Sequence, residues 1–169
     1  MENPPALSAL PGDGPLERRV HSSADLWVDG PQGRFWGRNG AAGLLLFHDE
    51  LGVLLQHRAE WSHFGGTWGL PGGAINDDET ATEAAIREAG EEAGVPAELV
   101  TVLFSSVFDL GYWSYTTVVA EAIEVFSPVV GDAESLELRW VPFDEVEALP
   151  LHPGFGGSWP GLRASIDAR

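Results

Sequence analysis

The sequence contains no cysteine and no lysine, and its apolar runs are short. The absence of cysteine excludes a disulfide framework, a thiolate zinc site and a cysteine nucleophile. The strongest apolar run near the N-terminus, AAGLLLF at residues 41–47, is far shorter than the roughly 20 residues that a transmembrane helix needs. The start, MENPPALSAL, lacks the basic and apolar regions of a signal peptide. We therefore expect a cytoplasmic protein that does not enter a membrane.

Charge is strongly biased towards one sign. Nine basic residues, all of them arginine, stand against 26 acidic residues, which gives a net charge of −17. Such a surface repels a phosphate backbone, so we expect no extended nucleic-acid partner. Most of these carboxylates serve solubility. A local cluster of them is different, because it can bind divalent cations and through them small anionic substrates.

The chain has the length of one ordinary domain, 169 residues. Residues 1–37 are rich in proline, glycine and polar residues, and they are predicted to form a loosely ordered lead-in with one short strand at 25–30. From residue 38 to residue 169 the pattern tightens into a single predicted domain.

Strand patterns dominate this domain. Two apolar runs that flank HDEL predict a hairpin at 41–47 and 52–58, and EWSHFGGTWGLPGG at 60–73 reads as a loop. Three further strands are predicted at 100–109, 114–125 and 136–143. A short helix at about 143–149 and a terminal helix follow. Many strands around one central helix indicate the α/β (α+β) class.

The central helix is delimited by its capping residues and carries concentrated like charge. Thr80 with Glu83 forms a capping box, and a Gly and a Pro end the helix. At about 100° per residue, Glu88, Glu91 and Glu92 share an arc of about 100°. Like charges at this spacing cost about 0.2–0.5 kcal/mol per pair.

Beside the carboxylates lies an arc of mostly small residues, which is predicted to pack on the sheet. This arc contains Thr82, Ala85, Ile86, Ala89 and Ala93. Three oxygen donors that converge beside a buried face suit a hard cation such as Mg²⁺ or Mn²⁺. A solvated acidic helix face would show the same residues, so the cluster alone does not decide between the two interpretations.

Seven residues around this helix fit the spaced pattern G-x5-E-x7-R-E-U-x-E-E-x-G-U, in which U is an aliphatic residue. They are Gly73, Glu79, Arg87, Glu88, Glu91, Glu92 and Gly94. The pattern, which spans Gly73 to Val95, resembles the Nudix box of the MutT-like Nudix hydrolase family. One departure is Ala89 at the first aliphatic position, for which we expect a minor stability cost.

The resemblance implies a mixed β-sheet sandwiched between helices. It also implies a hydrolase, dependent on Mg²⁺ or Mn²⁺, that cleaves the pyrophosphate bond of a nucleoside diphosphate linked to another moiety. Substrates of this kind include a nucleoside triphosphate, an oxidised nucleotide, ADP-ribose and a nucleotide sugar. The implied partner is therefore a small molecule, and the chain is expected to be a monomer or a homodimer.

Site roles follow from the same resemblance. Glu88 and Glu92 are implied to be metal ligands, Glu91 a ligand directly or through water, and the Gly72 carbonyl oxygen a further ligand. Arg87 is implied to orient the carboxylates by pairing with Glu79 across the loop.

The general base is left open among three carboxylates. Glu91 belongs to the box, whereas Glu134 and Glu137 in GDAESLELRW are candidates from outside it. Ordinary solvated loop carboxylates would look the same in the sequence.

Candidate substrate contacts are Arg58 for a phosphate and His63, Trp68 and Trp113 around a base. Structural packing is the alternative role for each of them.

Three other functions compete with the hydrolase. A catalytically silent Nudix-fold module for nucleotide binding or regulation would lose box residues, yet every charged position is present. A diphosphate isomerase of the same fold requires a catalytic cysteine, which this chain lacks. A structural calcium-binding protein would show alternating Asp and Asn in a loop rather than glutamates on a helix.

Overall fold

A computed structural model of the chain describes residues 22–169, in which a mixed sheet lies between two helices. The strands are β1 Trp27–Gly30, β2 Gly33–Trp36, β3 Ala41–His48, β4 Gly52–Arg58, β5 Trp68–Gly69, β6 Gly72–Ala74, β7 Val100–Asp109, β8 Ser114–Ala122 and β9 Ser135–Val141. The helices are α1 Ala81–Ala93 and α2 Pro153–Asp167, and 3-10 turns lie at Ala97–Leu99 and Phe143–Ala148. The predicted α/β (α+β) class and sandwiched sheet are confirmed.

The sheet is mixed because one of its pairings is parallel. Strand β8 runs parallel to β3 and antiparallel to β7, which forms one edge. Strand β4 pairs antiparallel with β3, β5 and β9, so β9 forms the opposite edge. The short strand β6 pairs with the first residues of β3 and leads directly towards α1. In this topology Gly73, the first residue of the box, lies next to β3 in the middle of the sheet.

Each face of the sheet packs against one helix because side chains alternate along a strand. Leu44, Leu46 and Val118 face α1, whereas Leu45, Phe47 and Val119 face α2. The contact residues of α1 are alanines, so the helix lies close to the strands: Ala84, Ala85, Ala89 and Ala93. The predicted packing arc is thus largely confirmed, with the difference that Ala84 is buried while Thr82 and Ile86 are half-buried.

Local sequence patterns predicted the positions of most helices and strands. The hairpin over 41–58 is confirmed, and β7 has the predicted bounds. Strand β8 ends at Ala122 rather than at 125, and the loop at 60–73 contains the short strand β5 and the start of β6. Within residues 22–169, neither helix is long and apolar enough to cross a membrane.

The lead-in differs from its prediction where it can be described. Residues 1–21 lie outside the described residues. The strand predicted at 25–30 is present as β1, and β2, which was not predicted, pairs with it in an antiparallel hairpin. Its aromatic residues hold it against the turn between β7 and β8. The ring of Phe35 stacks on Trp113 with 4.3 Å between centroids, and the Tyr112 hydroxyl donates to the Gly33 carbonyl oxygen over 2.8 Å. Composition predicts only loose order here because it does not reveal such long-range aromatic contacts.

Candidate active site

The site is built on the C-terminal half of α1, whose two ends are fixed by local contacts. The Glu83 N–H donates to the Thr80 hydroxyl oxygen over 3.1 Å, and the Thr80 N–H donates to the Glu83 carboxylate over 3.0 Å. Gly94 ends the helix with a φ of 66°, a conformation that costs glycine little. Glu91 and Glu92 therefore lie at the negative end of the helix dipole, with no basic residue in the last turn to compensate.

Two glycines of β6 let the sheet approach these carboxylates. A Cβ atom added at Gly73 would lie 2.6 Å from the Cδ atom of Glu88, so a side chain there would displace the Glu88 carboxylate. The Gly72 N–H donates to the Glu92 Oε2 atom over 2.9 Å. The box begins with glycine because the backbone itself forms one wall of the carboxylate cluster.

Arg87 connects the helix to the preceding loop. Its Nε atom donates to Glu79 over 2.7 Å, and its Nη2 atom donates to the Ala74 carbonyl oxygen over 3.1 Å. Its Nη1 atom donates to Glu88 over 2.8 Å and lies 3.5 Å from the nearest oxygen of Glu91. The predicted pairing of Arg87 with Glu79 is confirmed, and Glu88 is fixed by the same guanidinium group.

Burial makes the carboxylates costly to ionise without a cation. Removal from water raises the pKa of Glu88 to about 7, against the opposing charge of Arg87. Burial, with the charges of Glu88 and Glu134, raises the pKa of Glu92 well above its ordinary range. The cluster therefore holds protons at a pH where exposed carboxylates have lost them, and a divalent cation would replace those protons.

A loop between β8 and β9 adds two further carboxylates. The Val129 N–H donates to the Ala93 carbonyl oxygen, and the Gly131 N–H donates to the Glu92 carbonyl oxygen, both over 2.9 Å. Anchored in this way, the loop brings one oxygen of Asp132 and one of Glu134 to within 4.8 Å of each other and of Glu92. Glu134 was a predicted site residue. Asp132 was missed, although it stands two positions earlier in the same acidic segment.

Arg58, the last residue of β4, lies close enough to Glu92 and Glu134 for their charges to act on it. Its Nε and Nη2 atoms donate to the His63 carbonyl oxygen over 3.1 and 2.9 Å. Burial lowers the pKa of Arg58, and the charges of Glu92 and Glu134 oppose that effect. Arg58 therefore ties the 60–67 loop to the acidic cluster, a connection that the sequence did not reveal.

A small cavity lies beside Arg58, between the sheet and α2. Its volume is about 20 Å³, and Tyr115, Thr117 and His152 are among its lining residues. Such a space holds about one water molecule. A nucleobase does not fit in it, so the base of a nucleotide must lie elsewhere unless the lining residues move.

The remaining predicted site residues lie in other environments. Trp113 is buried against Phe35, and its Nε1 atom donates to the Trp36 carbonyl oxygen, which indicates a packing role rather than base stacking. The ring of Trp68 is stacked on His57, with 4.4 Å between centroids. Packing contacts therefore account for both tryptophans.

Two predicted residues are exposed or partly exposed. The His63 side chain is exposed and its ring contacts Phe64 edge-on. Glu137 lies on β9, where it pairs with Arg139 over 3.1 Å and lies 3.8 Å from His57. None of these contacts joins Glu137 to the acidic cluster on α1.

The donor set fits a hard divalent cation. Carboxylate oxygens are the ligands that Mg²⁺ and Mn²⁺ prefer; Glu92, Asp132 and Glu134 bring one oxygen each to within 4.8 Å of one another, and Glu88 lies beside the Gly73 backbone. Glu91 has a more exposed side chain, at 57 %, and points towards Arg87. Its role as a ligand, and that of the Gly72 carbonyl oxygen, stay predictions.

This fold and this cluster define a class of protein: an α/β/α sandwich that presents carboxylates from α1 and from the loop before β9, whose oxygen atoms suit a divalent cation. The Nudix domain family model matches residues 37–159. The chain belongs to the Nudix family and is a pyrophosphohydrolase of that family.

Sequence relatives agree with this assignment. A Mycobacterium tuberculosis (strain H37Rv) protein named "Putative 8-oxo-dGTP diphosphatase 3" is 51% identical over 158 residues, covering 87% of this chain and 72% of its own length. A nucleoside triphosphate pyrophosphatase/Nudix hydrolase fusion protein of Bifidobacterium longum is 42% identical over 162 residues, covering 90% of this chain and 34% of the fusion.

A solved structure supports the same fold. The crystal structure of a Nudix hydrolase from M. smegmatis, RenU, superposes with a TM-score of 0.78 at 51% sequence identity. The match covers 85% of this chain and 96% of that chain. The resemblance seen in the box therefore extends over most of the described fold.

Proposed function

We propose that this chain hydrolyses the pyrophosphate bond of an oxidised nucleoside triphosphate of the 8-oxo-dGTP kind, with Mg²⁺ or Mn²⁺ as cofactor. The observation that carries the proposal is the approach of Glu92, Asp132 and Glu134 to within 4.8 Å of one another, with Glu88 beside the Gly73 backbone and close enough to raise the pKa of Glu92. The substrate is suggested by the name of the relative that is 51% identical.

The arginines support recognition of a metal-bound substrate rather than a bare anion. Six of the described arginines form ion pairs with carboxylates: Arg34, Arg38, Arg87, Arg139, Arg163 and Arg169. The seventh, Arg58, is buried near Glu92 and Glu134. Because these cations are already engaged, the phosphates need a divalent cation to overcome the negative charge of the site.

Different side chains would bind the cation and accept the proton. When bound, the cation supplies charge neutralisation for the phosphates and polarises the reacting bond. Glu88 and Glu92 would hold it, and the Arg87 guanidinium and the Gly72 N–H keep these two carboxylates in place. We assign the general base to Glu134, which accepts a proton from water as the water oxygen bonds to phosphorus and the bridging P–O bond breaks.

The function is tested with purified protein and a set of nucleotide derivatives. In the presence of Mg²⁺ or Mn²⁺, 8-oxo-dGTP should be cleaved with a kcat/KM at least about tenfold above that for dGTP, since a site that hydrogen-bonds the oxidised base would reject the unoxidised base strongly. EDTA should abolish the reaction. Preferred cleavage of ADP-ribose or a nucleotide sugar would overturn the substrate only. Cleavage of none of these compounds would favour a silent nucleotide-binding module.

Glu134→Gln tests the general base. We expect kcat to fall about 10²- to 10⁴-fold, the usual contribution of a general base. Glu137→Gln is the matched control, because Glu137 is a glutamate three residues away that pairs with Arg139; its kcat should change less than about twofold. If Glu91→Gln removes activity while Glu134→Gln retains it, the base is Glu91 and this assignment is wrong.

A further inference from the structure

Strand β7 is an edge of the sheet that is left open. It pairs along its length with β8 on one side, and no described strand pairs with its other side. In an antiparallel arrangement, alternate residues of such a strand point their N–H and C=O groups outwards. An open edge of this kind is a template for pairing with another extended segment.

Most side chains of β7 are also uncovered, with only Val100 and Phe104 half-buried against the two cores. Helix α1 packs on β3, β6 and β8 and leaves most of β7 exposed. Large apolar side chains remain exposed there: Val102, Leu103, Val107 and Phe108. Val107 is 60% exposed. Exposed apolar groups that continue along an open edge indicate an interaction surface.

The opposite edge of the sheet is protected. Strand β9 carries Glu137 and Arg139, and charged side chains are a usual protection against edge pairing. Strand β7 has no charged residue from Val100 to Phe108 and no proline. The two edges therefore differ in charge: β9 carries charged side chains, whereas β7 carries none before Asp109, and the one register shift of β7 lies between Val102 and Phe104, which leaves Phe104 to Asp109 regular.

We propose that β7 is the contact between two copies of this chain, which pair their β7 strands antiparallel about a two-fold axis near Ser105. A second copy supplies a strand of equal length and the same uncharged character. For a chain of net charge −17, this uncharged segment is also a place where two copies approach with little charge repulsion.

The size of the contact suits a stable dimer. Ten residues on each copy give at most about ten inter-strand hydrogen bonds, and fewer where the register shifts between Val102 and Phe104, which is within the range of a typical protein interface. The apolar side chains of both copies would then cover one another above and below the joined sheet. Since the two-fold axis is perpendicular to the sheet, each helix-bearing face continues into the same face of the partner.

The mass in solution tests the proposal. Sedimentation of the full chain from about 1 to about 100 µM should show a monomer–dimer equilibrium. Val107→Lys, at an exposed position that tolerates the change, should raise the dimer dissociation constant more than about tenfold by burying an unpaired charge. Leu136→Lys on β9, where the native side chain is 49% exposed, is the matched control and should leave the dimer unchanged.

Hydrogen exchange supplies a second measurement that does not depend on variants. Amides on the outer edge of β7 should become protected as the concentration rises through the dissociation constant. A monomer at every concentration would overturn the proposal, whether because a preceding segment of the same chain covers the edge or because nothing does. A dimer unaffected by Val107→Lys, or open-ended polymers, would overturn it as well.

Discussion

Glu92→Gln is expected to lower kcat more than about 100-fold and at the same time to raise the melting temperature of the metal-free protein. Groups that only orient metal ligands already cost about 10- to 100-fold when removed, so a buried ligand should cost more. Glutamine keeps the oxygen that accepts the hydrogen bond from the Gly72 N–H. It removes a carboxyl group whose pKa is raised by burial and by Glu88 and Glu134.

The melting temperature of the metal-free variant should therefore lie above that of the native protein near pH 8, where burial makes the Glu92 carboxyl group costly to ionise. The variant should also lose the rise in melting temperature that Mg²⁺ gives the native protein. Glu98→Gln, an exposed glutamate on the 3-10 turn after α1, is the matched control and should leave both quantities unchanged. A variant that is inactive because it is misfolded would melt earlier, which is the opposite sign.

The second prediction concerns pH and Mg²⁺ together. Burial raises the pKa of Glu88 to about 7, while an unfolded chain releases this proton near pH 4.5. Between these values the folded state binds more protons than the unfolded state, so the free energy of unfolding of the metal-free protein falls as pH rises. The loss from Glu88 is on the order of 3 kcal/mol and is complete above pH 7.

Mg²⁺ should reverse this loss because it replaces the proton. At a Mg²⁺ concentration about 100 times the dissociation constant, the gain is about 2.7 kcal/mol, or about 5–11 °C. The rise in melting temperature should therefore be larger at pH 8 than at pH 6. The Arg87 hydrogen bond lowers the pKa of Glu79, so the stability that this carboxylate contributes is lost as pH falls. That loss occurs only below the pH at which an ordinary glutamate is protonated, outside the range of the Glu88 effect.

Melting curves from pH 5 to pH 8, with EDTA or with Mg²⁺, measure both effects. Glu88→Gln should flatten the decline in EDTA and reduce the response to Mg²⁺. A melting temperature that ignores Mg²⁺ at every pH would contradict the assignment of these carboxylates to a cation site.

Short-range patterns predicted much of this molecule. The capping box of Thr80 and Glu83 and the Gly94 stop gave the limits of α1, because these contacts span only three or four residues. The apolar and β-branched residues of 100–109 gave the bounds of β7 for a similar reason. The spacing of the box residues in turn located the carboxylates on one side of the helix.

Other features depend on residues far apart in the chain. Nothing near Asp132 shows that its loop is hydrogen-bonded to the end of α1. Likewise, Trp113 looks available for stacking until Phe35 is seen against its ring. The order of the strands also decides that β7 is an open edge while the similar strand β8 is central.

By itself, the sequence determined the helix, most strands, the family and the box carboxylates, since all of these are recorded in spacings of a few residues. Only the tertiary structure decided that Asp132 and Glu134 join Glu92, that burial raises the pKa of Glu88 and Glu92, and that Arg58 faces them. Desolvation and the electrostatic coupling of these groups depend on distances in space, and chain packing sets those distances.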